Sequence, residues 1–414
     1  MKRYSLLLTL ICGLISANGY AQRIATFEIE LSSPSAGLQV PIKTELNAVT
    51  LLSDTALSLF EIRGDKKSPV PFQIEDGEQR NLYWLINPGN PSGKYVFELI
   101  KGKPEKWQSS IQTKAENGLL TICDGDKKLL GYQYETVYPP AGVDSAYHRS
   151  GFIHPLWSPH GQVLTRIQPP DHYHHYGIWN PWTHVIFEKD TVDFWNLGKR
   201  QGTVRFAKFI SVAEGPIFAE YQALHEHVVF QKHGTERAAL NELQSVRIYQ
   251  PDNENYYIAD ITIAMSCAGT SPILLLHYRY GGLGWRAAEQ WHKDNSDVLT
   301  SAGKTRKDAD GTRARWCMVQ GEFDKGSAGV VMMSYPTNYN YPEPLRIWPE
   351  NQNGRGDVFA NFSPIKNMEW LLEPGKRYVL KYRLLVFDGR LTKAKAESAW
   401  QNYAAMPQVV AKMN

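Results

Sequence analysis

Cysteine is scarce in this sequence, which excludes one way of stabilising a fold. The chain has 414 residues and four cysteines, of which Cys12 lies in a short apolar run near the N-terminus. The other three, Cys123, Cys267 and Cys317, allow at most one intramolecular disulfide and leave at least one thiol free. None has a second cysteine or a histidine at close metal-ligand spacing. Disulfides therefore do not define this fold.

Long hydrophobic runs are also missing. The apolar run from Leu6 to Ile15 follows Lys2 and Arg3, and small residues at 19–21 suit a cleavage point. The run is shorter than the roughly 20 apolar residues of a membrane helix, so the pattern predicts a signal peptide over residues 1–21. No later segment is long or apolar enough to span a bilayer. We expect a periplasmic or secreted protein without membrane insertion after signal cleavage.

An excess of positive charge is absent as well. Lys and Arg number 45 against 42 Asp and Glu, and no long basic run occurs, so nucleic acid is not an expected partner. The sequence contains no phosphate-binding P-loop and no serine nucleophile elbow. The glycines at 281–284 lack the spacing of a dinucleotide-binding loop. Nucleotide chemistry and serine hydrolysis are therefore excluded as leading interpretations.

Alternating apolar and polar residues run through most of the chain and predict β-strands. We expect an all-β fold, a large antiparallel β-sandwich of which the galactose-mutarotase-like supersandwich is one form. Residues 22–108 are predicted as a small N-terminal β-domain and 115–390 as the main sandwich. Residues 391–414 are predicted as a C-terminal helical tail, with Thr392 as a helix N-cap.

Aromatic residues are abundant, at 12% of the chain with 12 Trp and 22 Tyr. Aromatic rings fill the cores of β-sandwiches, and they also stack on the faces of sugar rings. Both interpretations remain open from composition alone.

Histidine is concentrated in one part of the chain, because seven of the 12 histidines fall between His148 and His184. The centre of this part is the sequence DHYHHYGIWNPW, residues 171–182. If it is extended, His172 and His174 point to one side and His175 to the other. Two imidazoles on one face can hold a divalent metal ion that needs a further carboxylate or histidine. Histidines beside aromatic rings are equally suited to proton transfer.

Two further segments carry chemically active side chains. In the sequence HEH, His225 and His227 share one strand face and Glu226 takes the other, which predicts a functional pair or a solvated face. Glu242 and Arg247 follow in an apolar run, where charged side chains pair with each other or face a cleft. Arg286 ends a glycine-rich stretch, and we expect it to bind a substrate or to pair with a buried aspartate.

These segments resemble the secreted bacterial proteins labelled the "PmoA family". The matching stretches are 148–157, 171–179, 192–195, 281–286 and 335–338. Tyr176 departs from the family pattern, in which arginine is common at this position. The resemblance implies a β-sandwich protein linked to bacterial carbohydrate use, with its site around Asp171–Trp179, and no established function. The oxygenase suggested by the label is not expected, since that class needs transmembrane helices.

The leading hypothesis is a periplasmic carbohydrate-active enzyme that cleaves a glycosidic bond of an oligosaccharide by hydrolysis or elimination. The predicted catalytic residues are His174, His175, Glu226, Glu242 and His277. In this hypothesis His174 or His175 protonates a ring or glycosidic oxygen, and a carboxylate such as Glu226 or Glu242 acts as the base. The predicted substrate-binding residues are His154, Trp179, Trp182, Trp195 and Arg286. A divalent metal ion is an optional cofactor, with His172 and His174 as its ligands. The alternatives are a non-catalytic glycan-binding protein and a sugar epimerase or mutarotase-like enzyme.

Overall fold

The computed structural model describes residues 22–33, 37–87, 93–231, 234–405 and 407–413. The predicted signal peptide, residues 1–21, lies outside the described residues. Within these ranges, no helix has both the length and the apolar character needed to cross a membrane. Cys123, Cys267 and Cys317 are free thiols.

Strands dominate the described part of the chain. The first group of strands is β1 (Arg23–Glu30), β2 (Val40–Glu45), β3 (Leu57–Arg63), β4 (Lys66–Val70), β5 (Gln73–Glu75), β6 (Asn81–Ile86), β7 (Lys94–Lys101), β8 (Ile111–Glu116), β9 (Leu119–Asp124) and β10 (Lys127–Gln133). The second group is β11 (Phe152–Leu156), β12 (Ile178–Trp179), β13 (Val185–Phe187), β14 (Asp190–Val192), β15 (Gly202–Ala213), β16 (Phe218–Phe230), β17 (Glu236–Tyr249), β18 (Tyr256–Cys267) and β19 (Ile273–Leu275). The third group is β20 (Gly284–Arg286), β21 (Ser296–Thr300), β22 (Trp316–Glu322), β23 (Ser327–Ser334), β24 (Leu345–Ile347), β25 (Phe359–Phe362), β26 (Trp370–Leu372), β27 (Tyr378–Asp388), the helix α1 (Lys393–Ala404) and β28 (Val409–Met413).

Two eight-stranded sheets form the main body. One has the order β24-β25-β20-β12-β11-β10-β9-β8, and the other has the order β15-β16-β17-β18-β27-β23-β22-β21. All their pairings are antiparallel, and one hydrophobic core joins side chains of both sheets, such as Leu130 and Trp285 with Ile261 and Leu384. Burying each such side chain contributes about 1.5–3 kcal/mol. The predicted all-β fold with a large antiparallel sandwich is confirmed.

The N-terminal strands build a smaller β-unit. A five-stranded sheet, β28-β1-β7-β3-β4, and a three-stranded sheet, β2-β6-β5, enclose a separate core that includes Phe27, Trp84 and Phe97. The C-terminal strand β28 pairs with β1, so the tail predicted as helical is a helix followed by a strand. The first strand of the main body begins at Ile111, inside the segment between the two predicted domains.

The helix α1 packs on the outer face of the second eight-stranded sheet. Thr392 caps its N-terminus, because its hydroxyl oxygen accepts a hydrogen bond from the backbone N–H of Lys395 at 3.3 Å. Ala396 and Tyr403 lie in a cluster with Phe218 of that sheet. The predicted C-terminal helix and its cap are confirmed.

The histidine-rich segment crosses the first eight-stranded sheet near its middle. Strand β12 pairs with β20, and β20 pairs with β25, so that Trp179, Arg286 and Phe359 come from neighbouring strands. Gly177 precedes β12 with φ +58°, and a Cβ there would lie 2.2 Å from the carbonyl oxygen of Ile153. Only glycine fits this close approach, which brings the turn before β12 against the sheet.

Candidate functional site

The three histidines at positions 172, 174 and 175 come together in a turn. The backbone N–H of His172 bonds to the carbonyl of Pro169 at 2.8 Å, and that of His175 bonds to the carbonyl of His172 at 3.0 Å. The expectation that His172 and His174 face away from His175 is therefore wrong, because the segment turns instead of running extended. One ligand atom from each of the three imidazoles lies within 4.8 Å of the others. This set, His172, His174 and His175, is called the histidine cluster below.

His175 is the innermost member of the histidine cluster, at 1% exposure. Its ring centroid lies 5.2 Å from those of Trp179 and Phe359 and 5.4 Å from that of Trp348. Burial holds its pKa well below the usual range, so the ring is neutral. Its Nδ1 has no hydrogen-bond partner among the described residues. A buried polar atom of this kind is costly unless a ligand satisfies it.

His172 is oriented by a carboxylate. Its Nδ1 donates a hydrogen bond to Asp171 at 2.8 Å, which leaves the lone pair on Nε2. Asp171 also accepts from Arg286 at 3.0 Å and from the amide of Asn353 at 2.8 Å. Burial alone would raise the pKa of Asp171, but the hydrogen bond from His172 and the charge of Arg286 hold it below the usual range. A carboxylate behind an imidazole is the usual arrangement around a metal-ligating histidine.

His174 is half-buried and completes the histidine cluster. Burial lowers the pKa of His174 to about 4, and the charge of His172 contributes in the same direction. The imidazole is thus neutral at pH 7, the form that binds metal ions. The same shift makes His174 a poor proton donor at neutral pH, in contrast to its predicted role in protonating a sugar oxygen.

Arg286 is held by the protein itself. Its side chain is 1% exposed, and its Nη2 contacts Asp171 and Asp357, each at 3.0 Å. The guanidinium carbon also lies 4.6 Å from the ring centroid of Trp348. The pairing with aspartate expected as one of the two interpretations is present, while Nη1 of Arg286 has no partner among the described residues, and substrate binding by Arg286 stays a prediction. Arg286 therefore positions Asp171 and, through it, His172.

The tryptophans predicted to bind the substrate are buried. Trp179 at 0% and Trp195 at 2% exposure pack in the cluster around His175, and Trp182 at 0% packs against Trp370 in the core. None presents a free ring face to solvent. Two half-buried tyrosine rings lie near the turn. They belong to Tyr147 and Tyr173, and their centroids are 5.7 Å apart.

Glu242 lies in a second polar group inside the sandwich. Its carboxylate contacts His225 Nδ1 at 3.1 Å and His227 Nε2 at 3.0 Å, and it accepts from Asn180 at 2.9 Å. The hydroxyl of Tyr132 lies 2.6 Å from His225 Nε2. Burial opposes ionisation of Glu242, but the hydrogen bonds from both imidazoles hold its pKa below the usual range. This set, Tyr132, Asn180, His225, His227 and Glu242, is called the core network below.

The core network is closed to solvent, since the side chains of His225, His227 and Glu242 are at most 1% exposed. Glu242 is therefore not placed to act on a bound substrate. His225 and His227 do share one strand face, and the solvated-face interpretation for them is wrong.

The remaining predicted site residues lie outside the histidine cluster. Glu226 is half-buried on the opposite strand face and pairs with Arg205 at 3.2 Å. His277 is exposed, and no hydrogen bond or ring contact of its side chain is seen among the described residues. His154 contacts the hydroxyl of Thr165 at 2.9 Å, and burial lowers its pKa to about 4. The structure does not bring these three residues to the cluster.

The distant residues that enclose the histidine cluster were not predicted from the sequence. They come from the chain around β25, far from the histidines in sequence, and are Trp348, Asn353, Asp357 and Phe359. No local pattern identifies them, because only the pairing of β12, β20 and β25 brings them close. Asp171 was visible in the motif itself, next to His172.

The fold and the histidine cluster define a β-sandwich protein with a candidate metal site. The chain belongs to the family of unknown function DUF6807, whose model matches residues 120–401. No curated protein sequence matches the chain.

Some solved structures are similar over most of this chain. An alpha-mannosidase from Enterococcus faecalis V583 has 12% identity and a TM-score of 0.45, covering 94% of this chain and 46% of that chain. A glycosyl hydrolase family 38 protein from Enterococcus faecalis has 11% identity and a TM-score of 0.42, covering 95% and 48%. A galactose mutarotase related enzyme from Lactobacillus acidophilus has 11% identity and a TM-score of 0.28, covering 68% and 100%. This chain thus spans about half the length of the first two, and at these TM-scores the similarity gives no information on function.

Proposed function

We propose that this protein is an exported enzyme that binds a divalent metal ion at His172, His174 and His175 and cleaves a glycosidic bond. The observation that carries the proposal is the convergence of three imidazole nitrogens within 4.8 Å of one another. Three protein ligands with one open position are typical of catalytic zinc sites. Export rests on the predicted signal peptide, residues 1–21.

The donor atoms of the histidine cluster fit a metal ion. The N–H group at Nδ1 of His172 donates a hydrogen bond to Asp171, so the lone pair on Nε2 is the one that can ligate a metal ion. His175 offers Nδ1, which otherwise has no partner among the described residues. His174 is neutral at pH 7, because burial lowers its pKa to about 4. When bound, a divalent metal would polarise a sugar hydroxyl or carbonyl group and acidify a neighbouring C–H, which favours elimination over hydrolysis.

A carbohydrate substrate is supported by the rim of the histidine cluster. Tyr147 and Tyr173 are half-buried, and their ring centroids lie 5.7 Å apart beside the turn that carries the cluster. Half-buried tyrosine rings suit stacking on sugars, and tyrosine hydroxyls can form hydrogen bonds with them. The resemblance to the "PmoA family" proteins points to the same substrate class and belongs to this proposal.

A second candidate is a glycan-binding protein without turnover. It is favoured by one observation, namely that Glu226 and Glu242, the carboxylates predicted as bases, both lie away from the histidine cluster. Asp171, the carboxylate at the cluster, is already shared by His172, Arg286 and Asn353.

The experiment combines metal analysis with a screen for activity. Purified mature protein is measured by elemental analysis, and its action on oligosaccharides is followed by mass spectrometry. We expect about one divalent ion per chain, loss of the ion in His174→Ala, and cleavage products only with metal present. His160→Ala serves as the control, because this exposed histidine lies outside the cluster. Metal-free protein that leaves every glycan intact overturns the proposal, and glycan binding without products supports the second candidate.

A further inference from the structure

A groove separates the small N-terminal unit from the outer face of the second eight-stranded sheet. It contains two adjoining cavities of about 190 and 260 Å³. The residues that line both are Tyr83, Arg247, Tyr249, Asp260 and Thr262. Tyr83 comes from β6 of the N-terminal unit, and the other four come from β17 and β18 of the sheet. Clefts between two packed units are preferred places for ligand binding.

The sheet side of the groove is arranged in cross-strand rows. A charged row places Glu220, Arg247, Asp260 and Arg383 opposite one another on β16, β17, β18 and β27. This row is satisfied within the protein, because Arg247 pairs with Glu220 at 2.6 Å and with Glu75 at 2.5 Å, and Arg383 pairs with Asp260 at 2.6 Å. Both arginines of the charged row are therefore paired within the protein, and neither is available to pair with an anionic ligand.

The next row is polar and half-exposed. It places Gln222, Ser245, Thr262 and Lys381 opposite one another on the same four strands. Among the described residues, the hydroxyls of Ser245 and Thr262 have no hydrogen-bond partner. Hydroxyl groups both donate and accept, so this row can bind a ligand that carries several hydroxyls.

Two lysines at one end of the groove have no anionic partner. Lys43 on β2 and Lys381 on β27 both line the smaller cavity, and neither forms an ion pair with a described residue. Each ammonium lies over a tyrosine ring, Lys43 at 5.5 Å from Tyr83 and Lys381 at 5.2 Å from Tyr335. Burial lowers the pKa of Lys43, the negative charge of Glu75 opposes that shift, and the positive charges of Arg247 and Lys381 lower the pKa further. An anion between the two ammonium groups would relieve this repulsion.

We infer that the groove is a binding site for a sugar acid, whose carboxylate lies between Lys43 and Lys381 and whose hydroxyls bond to Ser245 and Thr262. The unpaired lysines favour an anionic ligand over a neutral sugar. The polar row favours a ligand with several hydroxyls over a simple carboxylate. This site is separate from the histidine cluster, and it requires neither a metal ion nor catalysis.

Isothermal titration calorimetry of the mature protein tests this inference. The probes are D-glucuronate and D-galacturonate, with D-glucose and acetate as comparison ligands. We expect at least one of the two sugar acids to bind more tightly than both comparison ligands. Lys43→Met and Lys381→Met, which keep the aliphatic stem, should each weaken binding by about tenfold. The double variant should abolish binding.

Three variants serve as controls. Lys381→Arg should retain binding, which would show that the loss in Lys381→Met comes from removal of the charge. Lys208→Met changes an exposed lysine outside the groove. His172→Ala should bind sugar acids normally, so failure of the metal proposal would not affect this result. The inference is overturned if neither sugar acid binds, if acetate or glucose binds equally well, or if the double variant binds like the wild type.

Discussion

The two histidine groups of this protein use carboxylates in opposite ways. In the core network, Glu242 lies between His225 and His227 and satisfies a ring nitrogen of each. In the histidine cluster, Asp171 forms a hydrogen bond with His172 only among the three imidazoles, and it is held by Arg286. The first arrangement engages both ring nitrogens of His225, through Glu242 and Tyr132, and Nε2 of His227. Nδ1 of His227 has no partner among the described residues. The second leaves ring nitrogens free to converge.

The core network is also more deeply buried than the histidine cluster. Glu242 and its two histidines are at most 1% exposed, whereas His172 keeps 27% of its side chain exposed. A closed group with a carboxylate between its imidazoles stabilises a fold, and a partly open group with converging imidazole nitrogens can take a ligand. Histidine content alone therefore does not locate a site. The position of the carboxylate relative to the imidazoles does.

The largest effect is expected when the core network loses its carboxylate. Glu242→Ala removes the partner of His225 Nδ1, of His227 Nε2 and of the amide nitrogen of Asn180, all buried, so the free energy of unfolding should fall by about 3–5 kcal/mol. Denaturant unfolding measures this change, with Glu242→Gln as the variant that keeps the side-chain size. Metal content should be unchanged. A loss below about 1 kcal/mol would show that the network does not stabilise the sandwich.

His154 belongs to neither group. It shows how burial alone changes the pKa of a histidine and, through it, the stability of the protein. Its pKa is about 4 in the folded protein and near 6.5 when unfolded, so the unfolded state binds more protons between these values. Stability contributed by neutral His154 is thus present above pH 6.5 and is lost as the pH falls to 4. The slope is at most about 1.4 kcal/mol per pH unit.

Unfolding measured from pH 4 to 7 should show a smaller slope for His154→Gln than for the wild type. The matched control is His277→Gln, because His277 is exposed and its side chain makes no contact seen among the described residues. Equal slopes for His154→Gln and the wild type would show that His154 titrates normally in the folded state.

The contrast between the two groups was only partly predictable from sequence. The period-two pattern gave the strands, and it placed His225 and His227 on one face of β16 because that strand is regular. The same reasoning failed at His175, because two backbone hydrogen bonds turn the segment from Pro169 to His175. The partners of both groups come from distant strands. Only the sheet topology brings Glu242 to His225, or Trp348 to His175.

Removing the carboxylate of the histidine cluster should have a different result from removing Glu242. Asp171→Ala takes away the hydrogen bond that orients His172, so affinity for zinc should fall by about 10- to 100-fold. Asp171→Asn keeps an acceptor and should lose less. Calorimetric titration of metal-free protein with zinc measures both. Unchanged affinity in Asp171→Ala would show that Asp171 does not support a metal ligand.

The smallest effect is expected at Glu226, the half-buried residue between the two histidines of β16 in the sequence. Glu226→Gln removes a surface pair with Arg205, and such pairs contribute about 0.2–1 kcal/mol. Thermal unfolding and zinc titration should both match the wild type closely. A large loss of activity in this variant, with the fold intact, would restore Glu226 as a candidate base.

The central claim is that the histidine cluster, and not the core network, holds a metal ion. Its most direct test is a crystal structure of the zinc-treated protein with anomalous diffraction measured at the zinc absorption edge. We predict one anomalous peak at about 2.0–2.1 Å from nitrogens of His172, His174 and His175. A map without a peak at these three residues, or with its peak beside Glu242, would contradict the claim.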